Sequence, residues 1–183
     1  EAGNFLTGAI QVENYINGLY MTLPSFSKFG LGVRSEEKNS DNIVAEVYDK
    51  RLNGELLETG GGTAEWQNGY QNLRNVNYFF EYYKVPEAEE TKDVLSLKGE
   101  AYFFRAYWHF YLLTRFGSIP VMDKFWDGNA TVAGLQIPPR DRSAVAQFII
   151  DDLKTAKNLL YSRSQYKGLR ICKEAAIIMA MRV

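Results

Sequence analysis

The groups able to break bonds are few and scattered along the chain. One histidine, His109, and one cysteine, Cys172, are present in 183 residues. A zinc centre needs three or four such ligands, and a His-assisted nucleophile needs two partners in register, so neither is expected. His109 lies in YWHFY on an apolar stretch, which predicts a buried, hydrogen-bonded ring and not a base. The adjacent carboxylates are Glu36 with Glu37, Glu89 with Glu90, and Asp151 with Asp152. A glycosidase sets two carboxyls across a sugar ring, about 5 or about 6.5–9.5 Å apart, with one made more basic by burial. Neighbours in polar segments do not meet that need, and each pair reads as solvated charge, Asp151 or Asp152 standing outward on an amphipathic helix whose core side carries Phe148, Ile149 and Leu153. The glycine triplet 60–62 is followed by Thr63, Ala64 and Glu65 and lacks Gly-Lys-Ser/Thr, so it reads as a flexible lead into a helix. These observations predict a protein that is not an enzyme and carries no cofactor or metal.

Binding chemistry is better supplied. Twelve Tyr and three Trp provide flat faces of the kind that stack on the C–H side of a pyranose. Asn, Asp and Arg beside such rings can reach sugar hydroxyls, and residues 34–42 together with the WQNGY segment bring these types close in sequence. Trp66 has two readings, a ligand platform and a core anchor for the first helix hairpin. Phe125 and Trp126 also have two, a sugar platform and a cover for the third helix, with the cover expected. The formal charge is −1 and the lysines and arginines are scattered, which excludes the electrostatic footprint of a nucleic-acid binder.

The elements that must carry these residues are helical. Ile10, Tyr15, Ile16, Leu19 and Tyr20 mark a first helix over residues 9–22, which Pro24 ends. Residues 25–62 show no sustained period beyond a brief strand-like alternation at 43–48, and such a long irregular stretch is the first place to expect ligand contacts. A second helix starts near Thr63, whose hydroxyl can cap it, and continues through Leu73, Val76, Phe79 and Phe80. Pro86 breaks it, and a third helix begins near Glu90. Phe104, Tyr107, Trp108, Tyr111 and Leu112 recur there at steps of three and four, until Gly117 and Pro120 stop the helix. Residues 123–141 lack helical period. A fourth helix over residues 143–160 and a fifth from Cys172 follow, separated by the polar turn SRSQYKG. Two successive hairpins, with Ala106, Ala156 and Ala175 permitting close approach, predict a mostly α fold of tetratricopeptide-like hairpins with long irregular loops. The last helix exposes Ile177, Ile178 and Met181 unless a partner covers them. One cysteine excludes an intrachain disulfide, and no run of 18 apolar residues is present.

Five segments, taken in order, resemble the SusD/RagB family. In the helix over 98–120 these are Arg105 and Ala106, the Tyr107–Trp108 aromatic pair, Leu112 and Leu113, Arg115-Phe116-Gly117, and Ile119-Pro120-Val121. The others are QVENYINGLYMTL with Ser40, Asp41 and Asn42; Trp66, Tyr70 and Asn77 in WQNGYQNLRNVN; Arg142 and Ser143 with Ile150, Asp151, Asp152, Leu153 and Ala156; and GLRICKEAAIIMAMRV. Cys172 departs from the pattern, since the family places Thr or Ser there, and a thiol caps poorly; packing is expected to set that helix start. The resemblance implies a surface lipoprotein that captures oligosaccharide, or peptide in some members, and acts as a lid delivering it to a SusC-type TonB-dependent outer-membrane transporter. It implies that residues 1–183 are the N-terminal helical part of a longer domain whose C-terminal portion is missing. The EAGNFLTGAI start has no signal-peptide pattern, so membrane attachment through a lipid anchor rests on the resemblance alone. Because the loop before the Trp-containing helix contributes to the ligand surface in that family, Arg34, Asp41, Asn42, Trp66 and Asn68 are the expected ligand residues. A helical-repeat adaptor that binds only protein is the competing expectation.

Overall fold

The computed structural model describes residues 6–23, 64–126, 137–166 and 170–183. Its helices are α1 (Ala9–Tyr20), α2 (Ala64–Tyr82), α3 (Lys92–Phe116), α4 (Arg142–Leu159), a single turn α5 (Arg163–Tyr166) and α6 (Lys173–Ala180), with one 3-10 turn at Glu87–Glu89. Among the described residues there are no strands, only two isolated bridges, Leu6 with Tyr83 and Ile119 with Arg140. The tetratricopeptide-like hairpins are present: α2 packs on α3 and α4 packs on α6, while α3 also meets α1 and, most extensively, α4. α5 occupies the turn between α4 and α6 that the sequence marks only as polar.

α3 is the hub because nearly its whole circumference is apolar. Ala101, Phe104, Ala106 and Leu112 are fully buried, and Trp108 nearly so, whereas Tyr107 and Tyr111 are half-buried on its rim. Fully burying each large apolar side chain stabilises the fold by about 1.5–3 kcal/mol. The helix begins at Thr91, whose hydroxyl accepts from Val94 N–H at 3.4 Å, with Asp93 in the positive first turn. It ends at Gly117, whose φ of 75° no β-carbon-bearing residue adopts readily. Gly99 lets α3 and α4 meet closely, since a Cβ there would lie 2.9 Å from Leu159 Cβ. α4 starts on Asp141, which accepts from Ala144 N–H at 2.7 Å. Cys172 makes no side-chain cap for α6; Lys173 N–H donates to Tyr161 C=O at 2.8 Å and Ile171 N–H to the Tyr20 hydroxyl at 2.8 Å. Packing therefore positions this helix start, as expected. Ile177, Ile178 and Met181 are exposed.

One sequence expectation holds for one residue of a pair and fails for the other. Asp151 is exposed, but Asp152 is buried and grips Arg105 through two bonds of 2.7 Å, Nε to Oδ2 and Nη2 to Oδ1. The pair crosses from α3 to α4, so Asp152 is not part of a solvated pair. Glu90 departs in the same way, accepting from the Tyr83 hydroxyl at 2.8 Å and from Lys98 at 2.9 Å. A second buried charge, Glu100, is fully enclosed and takes Arg170 Nε at 2.8 Å and Nη2 at 3.0 Å, with the Tyr20 hydroxyl at 2.7 Å. Arg170 also reaches Asn17 at 2.9 Å, so one guanidinium ties α1 to α3 just ahead of α6. Burial pushes the Asp152 and Glu100 carboxyls upward, and the facing guanidiniums oppose it.

Candidate functional site

After Gly117 the chain leaves the helical layer and runs over α2 and α3, and polar side chains fasten it at nearly every step. Tyr70 hydroxyl donates to Pro120 C=O at 2.9 Å, Asn77 Nδ2 to Met122 C=O at 2.8 Å, Arg105 Nη1 to Asp123 C=O at 3.3 Å, and Arg74 Nε to Trp126 C=O at 3.1 Å. Met122 N–H donates to His109 Nε2 at 3.1 Å, so the ring proton sits on Nδ1, which donates to Arg105 C=O at 2.9 Å. Complete burial holds the His109 pKa down to about 3. His109 is thus the neutral, satisfied core histidine expected, and it splices α3 to the crossing segment.

The fastening delivers Phe125 onto α2 and not onto α3, contrary to expectation. Its ring meets Tyr78 edge-on at 5.3 Å and Tyr82 at 5.8 Å, with the Arg74 guanidinium 5.2 Å above it. The reason lies in side chains distant in sequence: Arg74 and Asn77 hold the backbone on either side of Phe125 to α2. Tyr78 and Tyr82 lie 4.3 Å apart, and Tyr15 of α1 stacks on Tyr78 at 5.8 Å with an interplanar angle of 13°. All four rings are half-buried, which leaves a line of partly exposed aromatic faces across α1, α2 and the crossing segment. The sequence reading missed Tyr78 and Tyr82, although their i, i+4 spacing, with Arg74 one turn earlier, was the available signal.

Trp66 opens α2 at the other end of the helix. It is half-buried, 4.8 Å from the Tyr70 ring and edge-on to Phe116 at 5.0 Å, so it ties the first turn of α2 to the last turn of α3. These contacts are those of the core-anchor reading. Asn68 is exposed. Two residues apart on a helix, Trp66 and Asn68 stand on different faces, so α2 alone does not converge them. Arg34, Asp41 and Asn42 lie outside the described residues, as does Thr63. Among the described residues no group of three His, Cys, Asp or Glu gathers as metal ligands, and no helix is long and apolar enough to cross a membrane. Among the described residues the two buried carboxylates, Glu100 and Asp152, each face a guanidinium.

Comparisons with known proteins place these features. No curated protein matches the chain. Its structure is similar to a SusD-like protein from Bacteroides fragilis (25% identity, TM-score 0.79, covering 97% of this chain and 35% of that one). It is similar in fold to a SusD-like carbohydrate-binding protein from the same organism (18% identity, TM-score 0.81, 97% and 37% covered) and to a laminarin-binding SusD-like protein (18% identity, TM-score 0.75, 96% and 40% covered). The chain therefore spans less than half the length of these solved structures. Residues 5–183 match the SusD-like family described as starch-binding and associating with the outer membrane. With the helical hairpins, the Gly117 stop and the fastened Ile-Pro-Val segment in place, the chain belongs to the SusD-like family.

Proposed function

We propose that this chain is part of a non-catalytic glycan-binding protein, lipid-anchored at the cell surface, that passes its ligand to a SusC-type TonB-dependent outer-membrane transporter. The observation that carries the reading is the family match over residues 5–183, and the partly exposed aromatic faces on the described surface agree with it. Trp66 offers its accessible face to a sugar ring, and Asn68, Arg34, Asp41 and Asn42 supply the polar groups that select among hydroxyls. Capture and release need no bond cleavage.

The test is affinity purification of the full-length native protein from detergent-solubilised outer membranes, with mass spectrometry of what accompanies it. Recovery of a large TonB-dependent barrel is the expected result. Reproducible absence of the barrel, with the protein in soluble fractions, sinks the reading and favours a protein-only adaptor.

A further inference from the structure

The geometry points to a second carbohydrate subsite, in the groove between α1 and α2, that takes one neutral pyranose unit beside the Tyr15–Tyr78 stack. It rests on the glycan-binding reading above and adds a location remote from the Trp66 end of α2. The groove has a volume of about 340 Å³ and is lined by Asn14, Tyr15, Gly18, Leu19, Thr22 and Asn75. That volume is in the range of small-molecule sites.

Three observations carry the inference. First, Gly18 sits inside α1, where glycine weakens a helix relative to alanine, yet a Cβ there would meet nothing within 4 Å. Its φ is not positive, and among the described residues no neighbour packs against it, so neither backbone conformation nor packing against those residues calls for glycine. What the missing side chain does provide is an open floor to the groove.

Second, among the described residues the lining holds no charged group. It combines amides from Asn14 and Asn75 with the Thr22 hydroxyl and the Tyr15 ring, a set that suits a ligand with many hydroxyls and no charge. Thr22 Oγ1 donates to Leu19 C=O at 2.6 Å, which leaves its oxygen to accept. Asn75 Oδ1 accepts from Gln71 Nε2 at 3.3 Å, which leaves its amide nitrogen to donate.

Third, the wall is held in place before any ligand arrives. Tyr15 hydroxyl donates to Asn75 C=O at 2.7 Å, and its ring is backed by Tyr78 at 5.8 Å and Phe79 at 6.0 Å. A pre-ordered aromatic wall loses little entropy on binding. The line of rings continues through Tyr82 to Phe125, giving a longer chain of sugars a path away from the groove.

The experiment compares full-length native protein with its Gly18→Gln, Asn75→Ala and Trp66→Ala forms by isothermal titration with maltoheptaose and laminarihexaose. Circular dichroism and thermal melting establish that each form is folded, and Gly18→Gln is expected to melt no lower than the parent. If a second subsite adds to the grip on one oligosaccharide, filling the groove with Gly18→Gln weakens binding by about tenfold, and Asn75→Ala weakens it less. Unchanged affinity in both groove variants, with loss in Trp66→Ala, overturns the second subsite and leaves the glycan-binding reading intact. Binding of neither oligosaccharide by the parent protein overturns both. Normal glycan affinity in Gly18→Gln together with lost recovery of the barrel makes the groove a protein contact, and that also overturns the inference.

Discussion

The α3–α4 and α1–α2 interfaces solve opposite problems. α3 and α4 meet over the largest contact in the fold, close enough that Gly99 has no room for a side chain, and they seal the Arg105–Asp152 pair inside. α1 and α2 barely touch, leave a glycine facing open space, and place amides and half-buried tyrosines along the gap. Charge is tolerated at the first interface because both partners and their hydrogen bonds are present, and ligand access is possible at the second because packing is incomplete. On the proposed function the two interfaces are complementary: a seam that does not yield and an edge that is not filled.

The largest effect should come from breaking the sealed seam. Asp152→Ala leaves the Arg105 guanidinium buried without its partner and is expected to cost about 3–5 kcal/mol, read as a lower urea midpoint. Replacing both Arg105 and Asp152 by Met and Leu should recover most of that loss, because no uncompensated charge remains. A double variant as unstable as the single one would show that the pair does more than neutralise itself.

Acidification tests the join between α3 and the crossing segment more gently. His109 has its folded pKa depressed from the ordinary 6.5 to about 3, so its contribution is intact above pH 6.5 and is lost as pH falls toward 3. At pH 4.5, two units below the unfolded value, the loss amounts to about 2.7 kcal/mol. Gln in place of His109 removes the titration, and the stability of His109→Gln should change less between pH 6.5 and 4.5 than that of the parent.

At the open edge the effects should be small in stability. Tyr78→Ala removes ring contacts with Tyr15, Tyr82 and Phe125 and is expected to cost about 1–2 kcal/mol. Gly18→Ala should instead raise stability, by up to about 1 kcal/mol, since alanine is the better helix former and its methyl meets nothing. A melting temperature lowered by Gly18→Ala would contradict the open-floor description of α1.

Much of the helical order was legible. Strong 3.6-residue periodicity and the Pro86, Gly117 and Pro120 punctuation put α1, α2, α3, α4 and α6 close to where they lie, because both signals are local in sequence. His109 was also legible, as a polar ring among aromatics must be buried and satisfied. Asp152 was not: its neighbour Asp151 is solvent-exposed, and the arginine that draws Asp152 inward stands 47 residues earlier. Phe125 was assigned to the wrong helix for the same reason, since the hydrogen bonds that steer it begin at Arg74 and Asn77. Trp66 had two readings in sequence, and the contacts that the structure shows, with Tyr70 and Phe116, are those of the anchor.

The sequence by itself determined the helices, their stops and the family, because each depends on residue type and spacing along a few turns. Only the tertiary structure decided which charges are sealed, which helix receives Phe125, and that Gly18 and Asn75 share a groove. Those outcomes depend on side chains far apart in sequence competing for the same space, and no local pattern records who wins.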